Sequence, residues 1–258
     1  MVSMDILYVI LLAVIQGITE WLPISSSAHL ALAQQILGVQ PPILFDILLH
    51  VGTIAAVIFF MRNDLLKMLR ALMKFDVKDE NFRLSIFVIA ASVPTAIIGF
   101  TFRDFFESMF SDARAIGIAL VITGIFLFNC EQKKGQKNIS STSSLLIGVA
   151  QGISVAPGIS RSGATIGIAL LLGVKRENAA RFSFLLSIPA VFGATIFEAR
   201  DASFAGMDNG MIYLAPIVSA IVGYLTIGFF LNFVKEKGMR PFSYYCVIFG
   251  MLAYILLG

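Results

Sequence analysis

Six long apolar runs bounded by charge, at about 43–61, 84–101, 114–130, 182–198, 211–233 and 242–257, constrain this chain more than any other feature. At 1.5 Å per residue such runs make helices of roughly 24 to 35 Å, the thickness of a bilayer's hydrocarbon core once tilt or thinning is allowed. Hydrocarbon leaves backbone N–H and C=O groups no partner outside the chain, so each run is predicted to be a transmembrane helix. The short alternating segments of a membrane β-barrel are absent. Composition agrees: 58% of residues are hydrophobic and 14% charged, against about 45–50% and 25% in a soluble domain. A soluble enzyme, a nucleic-acid-binding module and a disordered scaffold are excluded.

Two further apolar stretches, 5–18 and 143–156, are too short to span, at roughly 21 Å as helix. Each runs into a polar, Pro-containing, Ser-rich patch and then a second short apolar stretch, which reads as a re-entrant pair. Irregular backbone at membrane depth is tolerated where protein or a water-filled cavity covers it, so two broken pairs point to a site. Their sequences repeat. QGITEWLPISSS (16–27) lies over QGISVAPGISRS (151–162) at an offset of 135 with six of twelve positions identical, and FDILLHVG (45–52) lies over FSFLLSIP (182–189) at an offset of 137. The expected fold is therefore one all-α integral membrane domain over 1–258, with six transmembrane helices and two re-entrant helix pairs. Its halves, 1–130 and 143–258, each carry an odd number of spans and so form an inverted-topology repeat.

Charge sets the expected orientation. The segments 62–83, 131–142, 175–181 and 234–241 hold fifteen of the 19 basic residues, while the opposite face has Arg103, Arg114 and Arg200. By the positive-inside rule those four segments are cytoplasmic and both termini lie outside. Within the first, 64–75 places Leu and Met on one helical side and Lys67, Arg70 and Lys74 elsewhere, as in an interfacial amphipathic helix. The first Lys or Arg is Arg62, so the N-terminus reads as mature sequence rather than a cleaved signal peptide. Cys130 and Cys246 are far apart without CxxC spacing and read as small membrane-helix residues.

The chemistry concentrates in the two patches. Gln16 and Glu20 share a helical face, and Ser25, Ser26 and Ser27 follow Pro23 where a new helix starts. Serines there are ordinarily caps, but a carboxylate at membrane depth is costly and marks a functional site. In the second patch, Pro157 to Thr165, Arg161 is the one basic residue away from both aqueous faces. Its planar fork of donors suits a phosphate, the alternative being a structural ion pair with Glu20. Two helix starts meeting at mid-membrane would add N–H groups and positive dipole ends. The loop at Gly158 and the hydroxyls of Ser25, Ser27, Ser160, Ser162 and Thr165 complete a candidate substrate-binding set. Glu20 is then free to hold a divalent cation or move a proton. His29, three residues after Ser26, is a candidate general base or phosphate-accepting nucleophile. Asp46 with His50 is an i, i+4 pair on the first spanning helix, with Asp46 close enough to its outer end to be solvated; support of the site from outside it is the lesser alternative.

QGITEWLPISSSAHL together with PGISRSGAT resembles the undecaprenyl-diphosphate phosphatases, also called bacitracin-resistance proteins. The resemblance extends through FDILLHVGTIAAV and RFSFLLSIPAVFGAT over nearly the whole chain. It implies hydrolysis of undecaprenyl diphosphate to the monophosphate and inorganic phosphate, which recycles the carrier lipid of cell-wall synthesis. It also implies a multi-pass plasma-membrane location, a site opening to the outer face, a prenyl diphosphate lipid as substrate and a required divalent cation, Mg²⁺ or Ca²⁺. By motif match Glu20, Ser26, His29 and Arg161 are catalytic, and Ser160 and Thr165 touch phosphate; whether Ser26 or His29 accepts the phosphoryl group stays open. Gln16 stands where many members have Glu, so Glu20 is the main cation anchor with Gln16 beside it; Ala28 stands where Gly is usual. The rival class is a translocator, because inverted repeats with broken helices also build transporters. Clustered Ser, His, Arg and Glu favour the phosphatase, since transport needs no nucleophile. No GxxxG-like stripe fixes an oligomeric state.

Overall fold

The computed structural model describes residues 5–131, 135–198 and 207–258. Residues 1–4, Lys133, Lys134 and Arg200, which entered the readings of the N-terminus and of charge, lie outside the described residues. The elements are α1 (Ile6–Thr19), α2 (Ser26–Leu37), α3 (Ile43–Phe60), α4 (Arg62–Lys74), α5 (Glu80–Thr101), α6 (Arg103–Met109) and α7 (Ala113–Cys130). They continue with α8 (Ser141–Ile153), α9 (Arg161–Leu171), α10 (Arg176–Glu198), α11 (Ala215–Lys237) and α12 (Arg240–Leu256). A π-helical turn, Gly210–Leu214, leads into α11.

Among the described residues five helices are long and apolar enough to cross a membrane: α3, α5, α7, α10 and the continuous helix Gly210–Lys237. The chain is a multi-pass all-α membrane protein. Its sixth long apolar run is α12, which at 17 residues is shorter than the other five. Large apolar side chains such as Ile89, Ile97, Phe100, Ile122, Leu225 and Ile255 are exposed, a surface that water would penalise and lipid does not. The helices α5 and α10 begin at Glu80 and Arg176, before the apolar runs expected at 84 and 182. Their first turns are polar, which hydropathy does not register. Asp79 caps α5 by accepting from the Asn81 backbone N–H at 2.7 Å; this bond, with one from the Asn81 side-chain amide, holds the Asp79 carboxyl below the usual carboxylate range.

The short apolar stretches form α1 and α8, each followed by a break and a second short helix, α2 or α9. The helix α1 lies against α11, and α8 lies against α5, so each half's first helix packs on a long helix of the other half. The pairs α7 with α12 and α3 with α11 complete the bundle, with α10 against α3, α5 and α9. The buried rings Trp21, Phe182, Phe184 and Phe230 belong to one core cluster, with Trp21 edge-on to Phe184 at 5.2 Å.

One end of the bundle is tied by charge. Arg181 donates to Asp64 at 2.5 Å, Lys235 meets Glu177 at 3.0 Å, and Arg176 pairs with Glu131, which also accepts from the Met239 backbone N–H at 2.7 Å. These contacts gather at one end the four segments whose basic residues set them apart in the sequence. On α4, Met68 and Ala71 are buried while Leu66, Leu69 and Met73 face outward beside Lys67 and Arg70.

At the crossing of α8 and α5 backbone meets backbone. A Cβ at Gly148 would lie 2.1 Å from the Ala91 carbonyl oxygen, and the Thr95 hydroxyl donates to the Gly148 carbonyl at 2.9 Å. Backbone cannot retreat there as a flexible side chain can. Gly148→Ala is expected to destabilise the protein by about 1–3 kcal/mol, read as a lowered thermal midpoint of the detergent-purified protein.

Candidate active site

The site is built where the two breaks meet. The chain leaves α1 at Glu20, turns through Trp21 to Ser25, and starts α2 at Ser26. The second break runs from Ser154 to Ser160 and starts α9 at Arg161. Two residues hold unusual backbone to make the breaks fit. Ser25 has φ 68° and ψ 95°, a left-handed conformation costing a non-glycine residue roughly 1–3 kcal/mol. Gly158 has φ 95°, and a Cβ on it would meet the Ile116 carbonyl and the Ala119 side chain at 2.6 Å. These two positions touch, because the Gly158 N–H donates to Ser25 Oγ at 3.1 Å. Ser162 Oγ donates to the Leu22 carbonyl at 3.0 Å, a second bond between the breaks.

Glu20 is 7% exposed and accepts from both directions. Its Oε1 takes an N–H of Arg161, and its Oε2 takes Ser26 Oγ at 2.6 Å and Gln16 Nε2 at 3.0 Å. The ion pair weighed from the sequence as the alternative for Arg161 is the arrangement found. It does not exhaust the guanidinium. Among the described residues Arg161 Nη1 is buried without a hydrogen-bond partner, and the group lies over the Trp21 ring at 5.4 Å. Gln16 Oε1 is likewise buried and unpartnered. A guanidinium donor and an amide oxygen, on two residues bonded to the buried carboxylate, therefore stand unused, as does the indole N–H of the adjacent Trp21.

The serines and threonine of the second patch are engaged within the protein. Ser160 caps α9 by accepting from the Gly163 N–H at 3.1 Å, and its own hydroxyl is 3.3 Å from Ser162 Oγ. Thr165 Oγ1 lies 2.6 Å from Ser183 Oγ on α10. Ser27 Oγ sits 3.2 Å from Ser25 Oγ. Gln16, Glu20, Ser26 and Arg161 are thus brought into one hydrogen-bonded cluster, and Ser25, Gly158, Ser160 and Ser162 frame it.

His29 faces elsewhere. Its Nδ1 donates to the Ser25 carbonyl at 2.8 Å, so Nε2 carries the lone pair and accepts from the Tyr245 hydroxyl at 2.7 Å. The ring stacks on Phe249 at 4.6 Å and on Tyr245 at 5.7 Å. The histidine beside Glu20 is His50, whose Nε2 is 3.9 Å from Oε2, while Asp46 turns its carboxylate to Gln34 Nε2 at 2.9 Å. Sequence reasoning missed Tyr245, 216 positions from His29. It also missed Thr123, which supports the second break. Neither residue lies in a polar patch, so no local signal marks them.

The donor set fits a hard divalent cation. Glu20 and the unpartnered Gln16 Oε1 offer oxygens, the ligands Mg²⁺ and Ca²⁺ take, and substrate phosphate commonly completes such a sphere. Among the described residues no group of three or more His, Cys, Asp or Glu side chains could hold a metal by itself.

The family described as bacitracin resistance protein BacA matches residues 9–252. This chain belongs to it. The BacA match takes in both breaks and every residue of the cluster. Among curated relatives, the undecaprenyl-diphosphatase of Syntrophotalea carbinolica is 42% identical over 96% of this chain and 97% of its own. That of Halothermothrix orenii is 40% identical over 99% of both chains, and that of Carboxydothermus hydrogenoformans is 40% identical over 96% of this chain and 95% of its own.

Thr123 on α7 tests how far the second break depends on its support. Its hydroxyl donates to the Gly158 carbonyl at 2.9 Å and accepts from the Ser160 N–H at 3.4 Å. Thr123→Val leaves both backbone groups buried and unpaired, at about 1–3 kcal/mol. The thermal midpoint is expected to fall, and phosphate release with it.

Proposed function

We propose that this chain is a membrane phosphatase that hydrolyses undecaprenyl diphosphate to undecaprenyl phosphate and inorganic phosphate. It thereby recycles the carrier lipid of cell-wall synthesis and confers bacitracin resistance. The observation that carries the reading is the cluster itself, a serine hydroxyl hydrogen-bonded to a buried carboxylate that is paired with an arginine still holding a free donor, in a BacA-family chain.

In this reading the prenyl tail lies along the lipid-facing helices and the diphosphate enters between the two breaks. Arg161 turns its spare Nη1 to a phosphate oxygen, and the N-terminus of α9 adds a positive dipole end. Ser26 Oγ attacks the terminal phosphorus and gives its proton to Glu20 Oε2, 2.6 Å away. The bond from phosphorus to the bridging oxygen breaks, and undecaprenyl phosphate leaves. Once Glu20 has released that proton to water, it accepts one from the water that cleaves the phosphoserine and frees inorganic phosphate. Ser26 is favoured over His29 as nucleophile because Tyr245 occupies the His29 Nε2 lone pair. Ser160 and Thr165 hold the start of α9 in place and present it to the phosphates. A Mg²⁺ or Ca²⁺ held by Glu20 and Gln16 would neutralise phosphate charge. A translocator that only binds and releases its cargo has no use for a hydroxyl coupled to a base.

The same reading completes the architecture. The sixth span is α12, and the halves form an inverted repeat, supported by the reciprocal packing of α1 on α11 and α8 on α5. The end tied by Arg176, Arg181 and Lys235 is cytoplasmic, which puts the termini and the mouth of the site on the outer face of the plasma membrane.

The burial of the pair dictates the variant that tests it. Removing Arg161 outright strands a buried carboxylate, at about 3–5 kcal/mol, so lost activity would mix with lost fold. Arg161→Lys keeps the charge and loses the fork. It is expected to release inorganic phosphate from undecaprenyl or farnesyl diphosphate at least about 100-fold more slowly than the parent protein at a similar thermal midpoint. Release at the parental rate would remove Arg161 from the mechanism.

A further inference from the structure

We propose that His50 is a ligand of the divalent cation at Glu20, giving this site one nitrogen donor among its oxygens and a preference for Mn²⁺ or a similar transition ion over Ca²⁺. This deepens the phosphatase reading and rests on it for the presence of a cation.

Three observations converge. His50 Nδ1 lies 2.8 Å from the Asp46 backbone carbonyl, which can only accept, so that nitrogen carries the proton and Nε2 of the neutral ring carries the lone pair. A metal-binding histidine is ordinarily oriented this way, its far N–H donated to a backbone carbonyl or carboxylate. Second, Nε2 makes no hydrogen bond among the described residues, although Glu20 Oε2 is 3.9 Å away. That gap exceeds a hydrogen bond and falls within the reach of two ligand bonds of about 2.1 Å each. Third, Gln16 Oε1 is buried and unpartnered on the residue that bonds the same carboxylate oxygen. Rotating the Gln16 amide brings Oε1 toward the position from which Nε2 now donates, and a cation replaces the hydrogen bond lost.

The carboxylate divides cleanly for this purpose, with Oε1 given to Arg161 and Oε2 left to Ser26, Gln16 and the side on which His50 stands. All-oxygen sites suit Mg²⁺ and Ca²⁺, whereas an imidazole nitrogen moves preference along the series toward Mn²⁺, Co²⁺ and Zn²⁺. His29 offers no competing nitrogen, its Nε2 being held by Tyr245.

The test is Mn²⁺ binding to the detergent-purified full-length protein, read by electron paramagnetic resonance without substrate, with pulsed detection of directly bound ¹⁴N. The parent protein is expected to bind Mn²⁺ with a nitrogen signal that survives His29→Gln. In His50→Gln the nitrogen signal should vanish, Mn²⁺ affinity should fall at least about tenfold, and Ca²⁺ should compete better. A nitrogen signal or an Mn²⁺ affinity unchanged in His50→Gln would overturn the proposal, as would a parent protein that binds no Mn²⁺ or whose binding survives Glu20→Gln. Phosphate release measured alongside separates the two readings. A parent that hydrolyses prenyl diphosphate without a nitrogen signal loses only the His50 ligand, and one that shows the signal without hydrolysis loses only the phosphatase.

Discussion

The buried pair of Glu20 and Arg161 is the interaction on which the rest of the site depends. Neither charge is stable alone in a water-poor interior, where an unpaired ion costs several kcal/mol. Held together they are close to neutral, and this permits α1 to end and α9 to begin beside each other deep in the protein. The partners are 141 positions apart, so the pair also forces the two breaks into register. The hydrogen bonds from Gly158 to Ser25 and from Ser162 to Leu22 then fix that register in detail. An arginine suits this place because its planar fork spends one nitrogen on the carboxylate and leaves another, Nη1, without a partner among the described residues.

Much of this was legible in the sequence because membrane burial writes itself in long apolar runs. Their length gave the five helices long and apolar enough to span, and the failure of 5–18 and 143–156 to reach that length located the breaks. Element starts were misjudged where the physics is not hydropathic, as at α5 and α10, whose first turns are polar and, in α5, capped by Asp79. The shortness of α12 was already legible, because its apolar run at 242–257 is among the shortest of the six and the helix adds only a polar first turn at Arg240.

Within the site, proximity in sequence served well for Gln16, Glu20 and Ser26 and misled for histidine. His29 is three residues from Ser26, yet its ring is drawn to Tyr245 and Phe249, where stacking and a hydroxyl satisfy it. His50 comes from a different helix and arrives beside Glu20 because α3 packs on α1 and α11. An i, i+4 count could place Asp46 and His50 on one face but could not say that Asp46 would turn away to Gln34. Such partnerships are decided by helix crossings, which a single sequence does not record.

The repeat that aligns the breaks at an offset of 135 sets Ser26 of the first half over Arg161 of the second, and Glu20 over Val155. Two identical halves would present either two hydroxyls or two guanidinium groups at that position, and either two carboxylates or none at the other. Exact symmetry between the two motifs would therefore forbid a centre that holds one carboxylate, one hydroxyl and one guanidinium. The cluster draws on positions at which the motifs differ, Glu20 and Ser26 from the first and Arg161 from the second.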